Sequence, residues 1–446
     1  MNVSVRSGCR ALVLAIALPV VAGFMPHSSL SMWQDQVVNA QPPKGAGKEE
    51  KKTKATGALS QKVYETLNKA QEKFDAKKYN EALSILAELK AKEGAGKSAL
   101  KPYEVFQLYN FYGAIYFTQE KYGDALKAYQ KAISQPDIDE RATLQIRFTI
   151  AQLYLVQEKW QQGVDALIEW MSLTPQPNAD SYALLAQGYY QLKQYDKALT
   201  NIDKSIGMFK TSNRQPKENW YNLAAFLWSE KNNYDKVIDV LRETLQYYPK
   251  KQYWLQLSAM YGEKKKDAVQ LAALEAMYVD GRLTEERELV QLAYLYLANE
   301  IPYLASKVLD KGIDSGKIQK TEKNLELLGN SWRAAQEVKK SIPVLEQAAA
   351  KSSKGEIWAR LGNVYLDNEE YDKSAKAIRS ALQKGGIKNQ DMAYLTLGMA
   401  EFNLKKFDAA RKAFEQAQKG SQAKPYATQW LQYLDKEIQR QKSLES

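Results

Sequence analysis

The chain has 446 residues, a formal net charge of +11, ordinary apolar content (45%), abundant Tyr (28) and few Gly (23) or Pro (13). That balance favours long helices with short connections over a sheet protein. One Cys and one His, Cys9 and His27, rule out an internal disulfide and leave little material for thiol, imidazole or His/Cys metal chemistry.

At the N-terminus, Arg6 and Arg10 precede an apolar run from Ala11 to Met25 that Pro19 interrupts. Its length suits the apolar region of an export signal and is short for a membrane span. Val38-Asn39-Ala40 offers a small-residue cleavage site, so residues 1–40 read as a Sec-type signal peptide and the mature chain as periplasmic. Left uncleaved, the same run would anchor the protein in the inner membrane. Cys9 precedes the apolar run and is no lipoprotein acceptor. Cleavage would remove Cys9 and His27, which suits an oxidising compartment and leaves no metal or cofactor to expect. It would also remove Arg6, Arg10 and Asp35, lowering the net charge to +10.

Residues 41–58 form a Pro-, Gly- and Lys-rich stretch without apolar period, a flexible basic linker. The other lysine-rich region, which includes Lys384, Lys405 and Lys412, mixes with acids at helical spacing. It reads as solvated helix faces rather than a nucleic-acid footprint.

From Leu59 a helical pattern repeats. Small residues fall near Ala82, Ala125, Gly163, Ala198, Val237, Ala268, Ala305, Ser341, Ser374 and Ala410. About a dozen positions earlier stands another small residue: Gly113, Ala151, Ala186, Ala224, Ala293, Gly329, Gly362 or Gly398. An aromatic or Leu usually follows that one three positions later, as in Tyr116, Tyr154, Tyr189, Leu227, Tyr296, Trp332 and Tyr365. Small residues let paired helices approach closely, and Tyr129, Leu167, Ile202, Leu309, Leu345, Ile378 and Phe414 fill the gaps. Pro136, Pro175, Pro177, Pro249 and Gly385-Gly386 mark breaks between helices. Pro302 fits a first turn, whereas Pro343 falls deeper and should delay its helix or kink it. Pro425 opens a last segment with Trp430, Tyr433 and Leu434 on one face. This pattern resembles the tetratricopeptide repeat, a helix–turn–helix unit. The resemblance implies an all-α superhelical solenoid of about ten repeats over residues 59–424, with 425–446 as capping helix and tail.

Two enzymatic decoys fail on context. Gly94-Ala95-Gly96-Lys97-Ser98 resembles the end of a phosphate loop, but Ala91 stands where the motif needs Gly, and no strand precedes it. Ser98-Ala99-Leu100-Lys101 and Ser421-Gln422-Ala423-Lys424 match Ser-x-x-Lys without the companion elements of penicillin-recognising enzymes. The carboxylates Glu285, Glu286 and Glu288 suit a helix start better than acid–base work.

What remains is the inner face of the first helices. Aligning the small residues places Asn110, Phe117, Gln152, Gln187, Tyr190, Tyr221, Trp228, Tyr294, Lys323, Asn330, Arg333 and Asn363 there. Aromatics with amides and Arg suit a protein-binding groove. Lys323, Asn330, Arg333 and Asn363 partly resemble the carboxylate clamp of co-chaperone repeats, but Glu326 stands where that clamp has Lys or Asn.

Longer strings resemble one family: Pro216-Lys217-Glu218-Asn219-Trp220-Tyr221, Tyr248-Pro249-Lys250-Lys251-Gln252-Tyr253-Trp254, Asn299-Glu300-Ile301-Pro302-Tyr303 and Leu397-Gly398-Met399-Ala400-Glu401-Phe402. It comprises exported tetratricopeptide proteins of Gram-negative bacteria described as components of TonB energy-transduction systems. The resemblance implies an accessory of the TonB–ExbB–ExbD complex, which serves outer-membrane uptake of iron chelates, and it brings no catalytic residues. The expectation is therefore a non-enzymatic scaffold with protein partners. Its rivals are a scaffold for cell-wall or outer-membrane assembly and the recruiting arm of a glycan-processing enzyme.

Overall fold

The computed structural model describes residues 58–96 and 99–445. The signal peptide, its cleavage site, Cys9, His27, linker residues 41–57 and the Lys97-Ser98 end of the phosphate-loop decoy lie outside the described residues. The described chain is all-α, with twenty-one helices, and divides into two compact units meeting at Pro249–Lys250. Among the described residues no helix is long and apolar enough to cross a membrane.

The first unit holds five helix pairs: α1 (Gln61–Asp75) with α2 (Tyr79–Lys90), α3 (Pro102–Thr118) with α4 (Tyr122–Ile133), α5 (Glu140–Val156) with α6 (Trp160–Leu173), α7 (Ala179–Gln191) with α8 (Tyr195–Thr211), and α9 (Glu218–Glu230) with α10 (Tyr234–Tyr247). The second holds α11 (Lys251–Glu263) with α12 (Asp267–Val279), α13 (Glu286–Ala298) with α14 (Pro302–Asp314), α15 (Glu322–Ala334) with α16 (Val338–Lys351), α17 (Gly355–Asp367) with α18 (Tyr371–Lys384), and α19 (Gln390–Asn403) with α20 (Phe407–Ala417). α21 (Lys424–Glu445) closes it. Each unit is thus a stack of helical hairpins, stabilised by burial between neighbours rather than by one central core.

One turn geometry closes every pair. Its middle residue is left-handed, with φ between 54° and 62°: Lys77, Glu120, Glu158, Lys193, Asn232, Lys265, Glu300, Gln336, Glu369 and Lys405. The next N–H reaches back to a carbonyl of the last helical turn, as from Lys121 to Tyr116 and from Lys406 to Glu401, both 2.9 Å. This double-bonded ending satisfies otherwise orphaned carbonyls, which offsets a left-handed cost of ~1–2 kcal/mol per non-glycine residue. Between α18 and α19 the chain does use glycine: Gly385 (φ 71°, ψ −169°) occupies a region other residues avoid.

These turns set a common register. Seven residues before each lies Ala70, Gly113, Ala151, Ala186, Ala225, Ser258, Ala293, Gly329, Gly362 or Gly398. Five residues after lies Ala82, Ala125, Gly163, Ala198, Val237, Gln270, Ala305, Ser341, Ser374 or Ala410. The steric reading of the first set holds where it can be measured. A Cβ on Gly113 would lie 2.6 Å from the Tyr129 ring, on Gly329 2.6 Å from Leu345, and on Gly362 2.5 Å from Ile378. Ser341 and Ser374 add a buried hydroxyl donated, at 2.8 Å, to the carbonyls of Gly329 and Gly362.

Two expectations are corrected by this register. Ala268 is exposed, and the position belongs to half-buried Gln270, which fits because Gly262 opposite it has no side chain. In the fifth pair the equivalent of Gly113 is Ala225, not Ala224, because the turn residue is Asn232.

Pro302 begins α14 as expected. Pro343 does not delay α16, which starts in register at Val338. Its missing N–H leaves the Lys339 carbonyl to solvent, since both residues are exposed. The capping helix buries Ala427 and Leu434 fully, with Trp430 half-buried. Tyr433 instead is 54% exposed, covering only the edges of Phe402 and Trp430.

Successive pairs are also tied by polar links between a second helix and the next first helix. Gln130 donates to the Tyr154 hydroxyl (2.7 Å), and Tyr296 donates to Glu275 (2.8 Å). Tyr365 donates to Glu346 at the same two register positions. At the last junction the chemistry is reversed: Arg379 donates to Glu401, which is 1% exposed.

Candidate protein-binding groove

An α-helix turns 100° per residue, so residues spaced i, i+4, i+7, i+11 share a stripe. On α7 the stripe Asp180, Leu184, Gln187 and Gln191 lies on the side away from Tyr182 and Tyr189, and Ala186 faces α8. The equivalent stripes of the other first helices define an inner face in each unit.

In the first unit Gln187 is 7% exposed on this stripe and Gln152 is half-buried at the equivalent position, while Asn110, 8% exposed, stands three residues before Gly113, where α7 has Ala183. None of the three side chains makes a hydrogen bond among the described residues, and Gln187 Oε1 is buried without a partner. Buried amides are ordinarily satisfied, because desolvation is costly otherwise. Half-buried Phe117 packs edge-on to Tyr122 at 6.1 Å. Half-buried Tyr190 lies between Tyr195 (6.3 Å) and Phe226 (5.4 Å, 84°). From α3 through α7 the four-position stripes carry one charge, Asp180, which is ion-paired with Lys217, and Arg141 extends the α5 stripe one turn towards its N-terminus.

Tyr221 is a core residue instead, and Trp228 stands at the register position of Tyr116 and Tyr189 rather than on the inner stripe. Tyr221 is 1% exposed, donates to Glu243 at 2.7 Å and stacks on Tyr247 at 6.2 Å. Burial and that carboxylate hold its phenol far above the usual tyrosine range. Trp228 is half-buried and packs with the α7–α9 core. Both were displaced by the one-residue slip at Ala224. The true register brings Phe226 to the inner stripe, which the sequence reading missed. The available signal was the spacing of the aromatic helix starts: Tyr122 stands nine residues after Gly113 and Tyr195 nine after Ala186, and counting nine back from Tyr234 gives Ala225.

In the second unit Tyr294 is 46% exposed, and Lys323 is exposed without a partner among the described residues. Asn330 is half-buried and likewise unpartnered. Arg333 is paired with Asp367 at 3.3 Å, and Asn363 accepts from the Thr396 hydroxyl at 2.7 Å. Glu326 accepts from Arg360 at 2.5 Å, and Arg360 also reaches Glu356 at 3.3 Å. The four clamp-like residues are therefore not assembled as a free cationic set. Among the described residues no three His, Cys, Asp or Glu side chains gather as a metal site would need.

Comparison with known proteins agrees with this architecture. A family model described as Tetratricopeptide repeat matches residues 359–427, and another of the same description matches residues 106–135. The chain carries tetratricopeptide repeats. No curated protein matches it. Among solved structures, a tetratricopeptide repeat protein from Parabacteroides merdae ATCC 43184 is 19% identical, over 61% of this chain and 99% of that one (TM-score 0.36). MamA is 14% identical over 40% and 96% (TM-score 0.34). YrrB, described as a TPR protein with an unusual peptide-binding site, is 13% identical over 40% and 87% (TM-score 0.32). Tetratricopeptide repeats generally mediate protein–protein interaction, and the matched repeats lie in both units.

Proposed function

We propose that this is an exported protein-binding scaffold without catalysis of its own, an accessory of a TonB–ExbB–ExbD system for outer-membrane uptake. The observation that carries the binding role is the first helices of the first unit, where the Asn110, Gln152 and Gln187 side chains have no hydrogen-bond partner among the described residues. Periplasmic location is supported by the signal-like residues 1–40, and the TonB assignment by the four strings quoted above. Affinity purification from an envelope extract tests it. Recovery of TonB-complex subunits is the expected result. Recovery of murein synthases without those subunits would overturn the transport reading in favour of a cell-wall scaffold, and hydrolase activity in the purified chain would refute the non-enzymatic one.

A further inference from the structure

We infer that one edge of the second unit docks on a membrane surface rich in anionic phosphate headgroups, held by lysines on the loops between helix pairs. This edge is separate from the inner face, and the inference does not rest on partner capture there.

Antiparallel hairpins put every within-pair turn at one edge of the stack and every between-pair loop at the other. Neighbouring loops are bonded to one another: the Gly355 N–H donates to the Gly385 carbonyl at 2.7 Å, and Lys384 Nζ reaches the Ser352 carbonyl at 3.3 Å. After α14 each loop, with the helix ends beside it, carries two exposed lysines. Lys317 and Lys320 precede α15, and Lys351 and Lys354 precede α17. Lys384 and Lys388 follow before α19, and Lys419 and Lys424 close the row at the start of α21. None of these lysines is in an ion pair among the described residues. Along the chain they stand among acids, so their freedom has a structural cause. The acid that opens each first helix reaches forward to hold the next loop. Glu286 accepts from the Gln319 N–H at 3.3 Å, and Glu322 from the Ser352 hydroxyl at 3.0 Å. Glu356 accepts from the Lys388 N–H at 3.0 Å, and Asp391 from the Gln422 and Ala423 N–H groups at 3.0 and 2.9 Å. Glu322, Glu356 and Asp391 are half-buried, and Asp314 is the exposed acid left along the row.

The row is particular to this edge. Towards the opposite edge Lys340 is paired with Glu337 at 3.1 Å and Lys373 with Glu370 at 2.6 Å. In the first unit Asp137, Asp139 and Glu140 stand between α4 and α5, and Lys217 before α9 is paired with Asp180. The chemistry of the row selects its occupant. A lysine ammonium is a point charge on a flexible stem, which suits phosphates whose positions are not fixed, whereas fixed phosphate geometry favours the arginine fork. These four loops hold no arginine and no aromatic ring on which a base could stack. Tyr426, 55% exposed in the first turn of α21, is the kind of ring found at membrane–water interfaces. Clusters of roughly four to eight basic residues bind anionic leaflets, at about fivefold in affinity per lysine near the surface. An attachment of this kind is peripheral and screened by salt. Export, as proposed above, would bring the edge beside such leaflets, but vesicle binding by the purified chain is decided without it.

Co-sedimentation of the full chain with vesicles tests the inference, using phosphatidylcholine alone and equal parts of phosphatidylcholine and phosphatidylglycerol, at low and high salt. Two double variants remove the same charge from opposite edges. One is Lys354→Gln with Lys388→Gln on the row. The other is Lys405→Gln with Lys406→Gln at the last within-pair turn, where Gln336 and Gln194 hold the same positions in other pairs. The parent should bind the anionic vesicles more tightly than the neutral ones and lose that preference at high salt. The row variant should weaken anionic binding roughly tenfold or more, the turn variant less than about twofold, with melting temperatures near the parent's. Equal loss in the two variants, or no preference for anionic vesicles, would overturn the inference. Displacement from vesicles by a more tightly bound duplex oligonucleotide would replace it with a nucleic-acid footprint. Displacement by inorganic phosphate, beyond the effect of chloride at equal ionic strength, would replace it with a small-anion site. Envelope partners captured by a chain that ignores vesicles would leave the scaffold role standing and sink this inference alone.

Discussion

Replacing Gly113 by Ala isolates the close approach that defines the repeat. The new Cβ would lie 2.6 Å from two atoms of the Tyr129 ring and 2.8 Å from a third. Tyr129 is 7% exposed, so the rigid ring has little room to withdraw. Overpacking of this kind costs ~1–3 kcal/mol, opposed by ~1 kcal/mol from Ala's better helix propensity. Gly123, one helix away on α4, provides the control, because a Cβ there meets nothing within 4 Å. Gly123→Ala should stabilise by ~0.5–1 kcal/mol, so the two variants should differ by ~1–3 kcal/mol. Adding Tyr129→Leu to Gly113→Ala recreates the Ala151–Leu167 combination of the next pair and should recover most of the loss. Urea unfolding by circular dichroism, with hydrogen exchange of α3 as a local probe, measures this. A Gly113→Ala chain stabilised as much as Gly123→Ala, or made worse by Tyr129→Leu, would refute the packing argument.

Other consequences can be checked alongside it. Tyr221→Ala should open a core cavity and cost ~3–5 kcal/mol, whereas Phe226→Ala, at the half-buried inner face, should cost less and impair partner capture; the reverse ordering in urea midpoints would restore Tyr221 to the groove. Burial raises the phenols of Tyr221, Tyr296 and Tyr365 with help from Glu243, Glu275 and Glu346, and burial pushes Tyr112 up to about 12. The folded chain therefore keeps protons that the unfolded chain loses near pH ~10. The resulting stability is complete below that pH and is lost as pH rises from there through the folded values, so urea midpoints should fall progressively between pH ~10 and ~12; a flat profile would contradict the assignment. Arg379→Ala should strand the buried Glu401 carboxylate at a cost of about 3 kcal/mol, the low end because Arg379 is half exposed. The double change Arg379→Glu with Glu401→Tyr should recover stability by recreating the Glu346–Tyr365 link.

Much of the fold was legible because its cause is local. A small residue opposite a large one at fixed spacing, as at Gly362 and Ile378, is a steric requirement written in one hairpin. The register failed where that signal was duplicated or missing. Ala224-Ala225 offers two small residues in tandem, and residue size alone does not decide between them; the left-handed turn at Asn232 does. In the sixth pair Gln270 replaces the small residue and Gly262 absorbs it, an exchange across two helices that no single position shows. The site was legible only in part, for a different reason. Residue type and register marked Gln187 and Gln152 as inner-face amides, but their depth depends on the flanking first helices. Their lack of partners is a property of the packed stack.

Site-specific photocrosslinking in intact cells tests the central claim, partner capture on the inner face, most directly. A photoreactive side chain at Phe226 or Tyr294 samples the inner face, and one at Ile168, 43% exposed on the second helix α6, samples the outer surface. Discrete adducts with a protein partner from an inner position and none from Ile168 are predicted. Adducts from Ile168 alone would contradict the groove as the place where this protein works.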